Sequence, residues 1–237
     1  ESIKITKGKE NQWFEQYAKE HPKRDQALSA WSYFEKMYTA DTLFALQQTP
    51  QQAIAKEKQR IKAEDSTFLA ELPKDSYVSW FLPMRKLVSG ASTIAQYRPE
   101  EIPATIKAFR AIDYTDNRLY KSGLFKDAIE SHFWLLENSG RSLDSVFIEM
   151  KVSIDAMMEN LIKEEKILNE VTDFLFDLLE RHSLFQASEY LALKVLNEVS
   201  CTIDNDLAKQ LETYRAMKKG NTAPEILFEG DNNTPGY

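Results

Sequence analysis

Residues 143–179, LDSVFIEMKVSIDAMMENLIKEEKILNEVTDFLFDLL, decide the fold of this chain. Their apolar side chains recur at intervals of three and four residues, which is the spacing of one face of an α-helix. Two helices are predicted, with buried faces made of Val146, Met150, Ile154, Met157, Met158 and Leu161 in the first and of Ile167, Leu168, Val171, Phe174, Leu175, Leu178 and Leu179 in the second. Because helices joined by short links are usually antiparallel neighbours, the stretch predicts a helical hairpin.

The sequence on either side of this hairpin continues the helical pattern. On the N-terminal side, a helix is predicted from Leu124 until Gly140 ends it, and Ser142 begins the next one. On the C-terminal side, helices are predicted at about 184–200 and 204–218, the second with Asp204 as its N-cap. Residues 124–218 are therefore predicted to form a stack of helical hairpins.

Residues 9–112 contain five further predicted helices. The first is expected to end before Pro22, because a proline ring blocks helical continuation, so a separate second helix is expected from about 24 to 47. Thr49 and Asp75 are predicted to cap the third and fourth helices, and Pro99 opens a short fifth. The charged run at 55–65, AKEKQRIKAED, predicts that the third helix is exposed over most of its circumference.

These patterns predict an all-α fold, an irregular multi-helix bundle of stacked antiparallel hairpins with short extended segments at the two termini. No period typical of a helical-repeat family recurs along the chain. The composition changes abruptly near the end, so we divide the chain into a helical domain at 1–218 and a tail at 219–237. Residues 1–8 alternate apolar and polar side chains and are interpreted as the end of a strand from a preceding β domain.

Composition excludes several classes of protein. Lys and Arg total 30 against 37 for Asp and Glu, a net charge of -7 that argues against nucleic-acid and anionic-lipid binding. No apolar run approaches the roughly 20 residues that a transmembrane helix needs. Cys201 is the only cysteine of the chain, which excludes an internal disulfide, a Cys-x-x-Cys redox pair and a cysteine-rich zinc site.

The titratable residues form no recognisable catalytic or metal-binding motif. His21, His132 and His182 lie on different segments and lack the Glu-x-x-His spacing of two-metal helical bundles. We interpret His132 as a partly buried histidine with one hydrogen bond and His182 as a cation that complements a helix C-terminus. A solvated face is predicted for the carboxylates Glu164, Glu165, Glu170, Asp173 and Asp177.

No nucleophile-elbow or phosphate-loop motif is present, although a triad assembled from distant residues stays open. Cys201 is interpreted as a small buried apolar residue rather than a reactive thiolate. We predict no catalytic, cofactor-binding or metal-ligating residue and no cofactor. A ligand groove is one interpretation of an aromatic stripe, but its helical spacing favours core packing; the stripe comprises Trp13, Trp31, Tyr33, Phe34, Tyr38 and Phe44.

The tail carries a family resemblance. The string Gly220-x-x-Ala223-Pro224-x-Ile226, which follows the basic turn RAMKKG, resembles the start of the thioredoxin-like domain in TlpA-type and peroxiredoxin-type (AhpC/TSA) thiol–disulfide oxidoreductases of the Gram-negative envelope. In that family Ala-Pro precedes the first strand, which Ile226–Phe228 match. The stretches 118–145, 178–196 and 207–226 are similar to the helical region that precedes this domain.

The resemblance implies that residues 1–218 are a helical accessory region in the periplasm or cell envelope. It implies a thioredoxin-like domain as partner in cis and a protein thiol or disulfide as substrate, with the catalytic Cys-x-x-Cys pair a few tens of residues beyond the Ala-Pro start and so past Tyr237. Cys201 lies upstream of that start and does not match the pair. The alternative function is a stand-alone helical-repeat adaptor or ligand-binding module.

Overall fold

The structure, a computed structural model, describes residues 8–199, 209, 211–213, 216, 228–229 and 235–236. The helices in residues 8–199 are α1 (Lys9–Ala40), α2 (Gln48–Glu71), α3 (Tyr77–Tyr97), a 3-10 turn (Pro99–Glu101), α4 (Ile102–Arg110), α5 (Asn117–Lys121), α6 (Phe125–Glu137), α7 (Leu143–Leu161), α8 (Glu165–Arg181) and α9 (Phe185–Val199). In the tail, β1 (Phe228–Glu229) pairs antiparallel with β2 (Pro235–Gly236). The predicted all-α multi-helix fold is confirmed.

Two compact units make up the chain, an N-terminal unit at 1–112 and 117–141 and a C-terminal unit at 113–116 and 142–237. Within the N-terminal unit, α3 is the central helix and packs against α1, α2, α4 and α6. Within the C-terminal unit, α7, α8 and α9 pack against one another. The predicted N-cap Asp204, the residue Cys201 and residues 1–7 of the strand end predicted at 1–8 lie outside the described residues.

The hairpin predicted from residues 143–179 is present as α7 and α8. Ser142 caps α7, since its side chain accepts a hydrogen bond from the backbone N–H of Ser145 at 3.4 Å. All the side chains predicted to be buried here are buried except Ile167 and Phe174, which are half-buried. The five carboxylates predicted to face solvent are exposed.

The predicted break before Pro22 is wrong, because α1 runs without interruption through this proline. An internal proline loses one backbone hydrogen bond and costs about 3 kcal/mol. Packing on both sides of the proline offsets this cost, since Tyr17 in the turn before it and Leu28 in the turns after it are both buried. The tertiary contacts of α1 therefore override the local preference of the sequence.

Helix starts also differ from the predicted caps. Helix α2 begins at Gln48, one residue before Thr49, and its N-cap side chain makes no capping hydrogen bond. Helix α3 is capped by Ser76 rather than Asp75, because the Ser76 side chain accepts from the N–H of Ser79 at 3.3 Å. Pro99 opens a 3-10 turn that leads into α4, close to the predicted position.

None of the helices in the described ranges is apolar over a length that would carry it across a bilayer. Their buried apolar residues lie on the faces that pack within each unit.

Candidate functional site

The N-terminal unit contains an open cavity of about 490 Å³ between α1, α2, α3 and α4. Its size falls within the range of ordinary small-molecule sites. Two clusters of charged side chains line it, one around Asp65 of α2 and the other around Arg98, which follows α3. The remaining wall is mostly apolar, made of Leu28, Ile61, Leu69, Pro83, Leu87, Gly90, Ile94, Ala104 and Ala108.

Asp65 is buried and joins three helices. Its Oδ1 lies 3.0 Å from Nδ1 of His21 on α1, and its Oδ2 accepts from Nζ of Lys86 on α3 at 2.5 Å. The hydroxyl of Tyr17 donates to Oδ2 at 3.4 Å, and the Tyr17 ring stacks on His21 with centroids 4.7 Å apart. A buried carboxylate needs such partners, because it has lost its hydration.

The electrostatics of this cluster fix Asp65 in its charged form. Burial alone would raise the pKa of Asp65, but hydrogen bonds from His21 and Lys86, together with the charges of those residues, outweigh it and lower the pKa to about 2. Burial also raises the pKa of the Tyr17 hydroxyl far above its usual range, and the Asp65 charge adds to this effect. Asp65 is therefore an anion and Tyr17 a neutral donor near pH 7.

Arg98 is the second buried charge, with 4% of its surface exposed. Its guanidinium donates to Oδ1 of Asp25 at 2.7 Å, to Oγ of Ser29 at 2.9 Å and to Oε2 of Glu101 at 3.2 Å. Glu101 also pairs with Lys62, at 2.5 Å. Burial raises the pKa of Glu101, but the hydrogen bond from Lys62 and the charge of Arg98 lower it overall.

Arg24 lines the cavity and carries a buried donor atom without a hydrogen-bond partner among the described residues. Its Nη2 donates to Glu20 at 2.5 Å, and its Nε lies 3.8 Å from Glu64. Its Nη1 is shielded from solvent, lies 3.8 Å from Oδ1 of Asp65 and has no hydrogen-bond partner among the described residues. That distance is too long for a hydrogen bond, so the group retains an unused donor.

The sequence prediction missed these clusters because it considered only that the helix is exposed over most of its circumference, and not which charges lie on its buried side. The signal was nevertheless available. Counting along α2 at intervals of three and four residues from Ile54 leads through Lys58 and Ile61 to Asp65, so both charges fall on the apolar face. Most of the run at 55–65 is exposed, as predicted for this helix, whereas Asp65 is only 4% exposed.

The three histidines have separate environments. His21 lines the cavity beside Asp65. His132 is 1% exposed, more buried than predicted, and stacks on Phe109 with ring centroids 5.1 Å apart. Burial, aided by the charge of Arg110, lowers the pKa of His132 to about 3. His182 is the exposed C-cap of α8, and its role as a cation there stays a prediction.

The described residues contain no group of three or more His, Cys, Asp or Glu side chains that could hold a metal ion.

The aromatic stripe is only partly in the core. Trp13, Trp31 and Tyr38 are half-buried, whereas Tyr33, Phe34 and Phe44 are 57%, 47% and 42% exposed, so the favoured core interpretation is wrong for these three. They belong to an exposed apolar surface at the end of α1 and the following turn, which we term the aromatic corner: Tyr33, Phe34, Met37, Leu43, Phe44 and Leu46. Exposed clusters of this kind are typical of interaction surfaces.

The arrangement is suited to binding. The cavity combines apolar side chains with buried, fixed charges, and the aromatic corner offers apolar area to a larger partner. Comparison of the chain with protein-family models, with curated proteins and with solved structures gives no match.

Proposed function

We propose that this chain is the non-catalytic helical region of a thiol–disulfide oxidoreductase of the cell envelope. The observation that carries the proposal is the string Gly220-x-x-Ala223-Pro224-x-Ile226 at the end of a helical body, which resembles the start of a thioredoxin-like domain. The strand expected at 226–228 shares one residue, Phe228, with the extended backbone at Phe228–Glu229. The partner of β1 is β2 of the same tail.

The single cysteine supports a non-catalytic role for this part. Reduction of a disulfide by a dithiol enzyme needs one thiolate to attack and a second thiol to resolve the mixed disulfide. Cys201 has no second cysteine in the chain with which to do this. The proposal therefore places the reactive pair in a thioredoxin-like domain of the same polypeptide.

In this proposal the helices position that domain or recruit its substrate. The aromatic corner supports the recruiting role, because Phe34, Leu43 and Leu46 expose 47%, 73% and 85% of their surface. Apolar and aromatic side chains of this kind form the centre of many protein interfaces.

The test combines an assay with the coding sequence. The chain is expected to show no catalysed reduction of insulin by dithiothreitol, and Cys201→Ser should match the wild type. The reading frame that follows the Tyr237 codon is expected to encode Cys-x-x-Cys within a few tens of residues. Redox turnover by the chain itself would contradict its non-catalytic role, and a continuing frame without the motif would contradict the family assignment.

A second candidate is a stand-alone helical adaptor, which the aromatic corner also favours. The two candidates differ in the gene, because a stop codon shortly after the Tyr237 codon favours the adaptor and a further hundred or so codons favour the oxidoreductase. For an adaptor, Phe34→Ser with Leu46→Ser should abolish partner binding without changing the far-UV circular dichroism spectrum.

A further inference from the structure

We infer that the cavity of the N-terminal unit binds a small amphipathic anion, a carboxylate or phosphate monoester on an apolar body, with its head group beside Arg24 and Lys86. The inference is independent of the redox proposal, because it rests only on the cavity wall. An apolar pocket with a few convergent polar groups is the usual form of a small-molecule site.

The charged side chains of the cavity wall favour a negatively charged ligand. Four permanent cations line the cavity, Arg24, Lys62, Lys86 and Arg98, against the three carboxylates of Asp25, Asp65 and Glu101. Each of these carboxylates pairs with at least one cation of the wall, so the wall as a whole carries one more positive than negative side chain. The additional partners of Arg24, Glu20 and Glu64, have side chains 40% and 47% exposed, and solvent screens them.

The environment of Asp65 locates the head group. Arg24 and Lys86 both lie beside this one carboxylate, whereas the other partners of Arg24, Glu20 and Glu64, do not line the cavity. The unused Nη1 donor of Arg24 lies there as well. A turn of the guanidinium toward the cavity would let a ligand oxygen accept from it, and hydrogen bonds between such charged groups are the strong ones.

Leucine side chains close to the charged residues would contact the apolar part of the ligand. Leu28 lies one turn beyond Arg24, Leu69 lies one turn beyond Asp65, and Leu87 follows Lys86, and all three line the cavity. The charged end therefore continues directly into an apolar wall. A ligand with both characters can satisfy both parts, whereas an inorganic anion would leave the apolar part unused.

The test uses isothermal titration with three probes of equal chain length: octanoate, octyl phosphate and octyltrimethylammonium. Octanoate and octyl phosphate are expected to bind in a 1:1 ratio, and the tighter of the two identifies the preferred head group. Arg24→Gln and Lys86→Gln should each weaken octanoate binding by about tenfold. Lys19→Gln, which removes a surface lysine that does not line the cavity, should leave binding unchanged.

A cavity-filling variant separates binding in the cavity from adsorption on the surface. A Cβ added at Gly90 meets only Ile94 Cδ1, at 3.7 Å, so a Cβ fits there, and Gly90 itself lines the cavity into which a longer side chain would extend. Gly90→Leu should abolish octanoate binding and keep the melting temperature at or above that of the wild type. Equal binding of octyltrimethylammonium, no binding of either anion, or retained octanoate binding by a folded Gly90→Leu would each overturn the inference.

Discussion

Replacing His132 with Phe is expected to remove an acid-sensitive part of the stability of the protein. The side chain is 1% exposed, and its ring lies at 7° to the plane of Phe109. A Phe ring preserves this stacking and cannot be protonated. Any packing cost of the larger ring is independent of pH, so it cancels when each protein is compared with itself at two pH values.

The magnitude follows from the difference between the folded and unfolded pKa of His132. The folded pKa is lowered to about 3 by burial and then by Arg110, whereas an unfolded histidine has a pKa of about 6.5. The unfolded chain therefore binds this proton first, so the contribution is complete above pH 6.5 and is lost as the pH falls toward 3. At about 1.4 kcal/mol per pH unit, the free energy of unfolding drops by about 2 kcal/mol between pH 6.5 and pH 5.

Urea denaturation at pH 7.5 and pH 5 measures this effect. The drop in the free energy of unfolding should be about 2 kcal/mol smaller for His132→Phe than for the wild type. His132→Leu provides a second non-titrating variant if the Phe ring does not fit, and the exposed Gln52 provides the control Gln52→Ala, which removes no titratable group and should retain the wild-type drop. An equal drop in wild type and both His132 variants would refute the assignment of the acid sensitivity to this buried ring.

Other substitutions test the structure in the same denaturation assay. Asp65→Asn should cost about 3 kcal/mol at pH 7, because it leaves His21 and Lys86 without their buried carboxylate. That difference in the free energy of unfolding should shrink as the pH falls from about 4 to 2, since the folded pKa of Asp65 is lowered to about 2. As a control, the substitution Asp173→Asn at an exposed carboxylate should stay within about 0.5 kcal/mol of wild type. Gly90→Ala should raise the free energy of unfolding by about 0.5–1 kcal/mol, because the added methyl group fits inside α3 and restricts the unfolded chain; a loss of stability would show that the space is not there. Ser142→Ala should lower it by about 1 kcal/mol through loss of the cap of α7, and no change would contradict the capping role.

Sequence patterns predicted the part of the fold in which local and tertiary preferences agree. In α7 and α8 the apolar spacing, the Ser142 cap and the solvated carboxylates all indicate the same two helices, and all are present. In α1 they disagree, since proline disfavours the helix that packing against α2 and α3 maintains. Local rules alone therefore placed a break where tertiary contacts sustain the helix.

The candidate site was harder to predict because its members are charged and far apart in the chain. His21, Asp65 and Lys86 come together only when three helices pack, and the spacing within one helix does not show which charges of another helix lie opposite it. The exposed part of the aromatic stripe was mispredicted for a related reason. Periodicity identifies one face of a helix, but it does not show how much of that face a neighbour covers, and in α1 Tyr33 and Phe34 are exposed although the adjacent Ser32 is buried.

Asp65 holds partners from α1 and α3 on the oxygens of a single carboxylate carried by α2, and this sharing bears on how the N-terminal unit opens. If one of these helices separates from the other two, an ionised side chain loses its partner while it is still poorly hydrated. The free-energy cost of such a partial opening is therefore higher than that of complete unfolding. Amide protons in the middle of all three helices should then exchange with deuterium in one concerted event. Paired substitutions at Tyr17 and Lys86 should likewise give non-additive losses, as expected for side chains that depend on a common anchor.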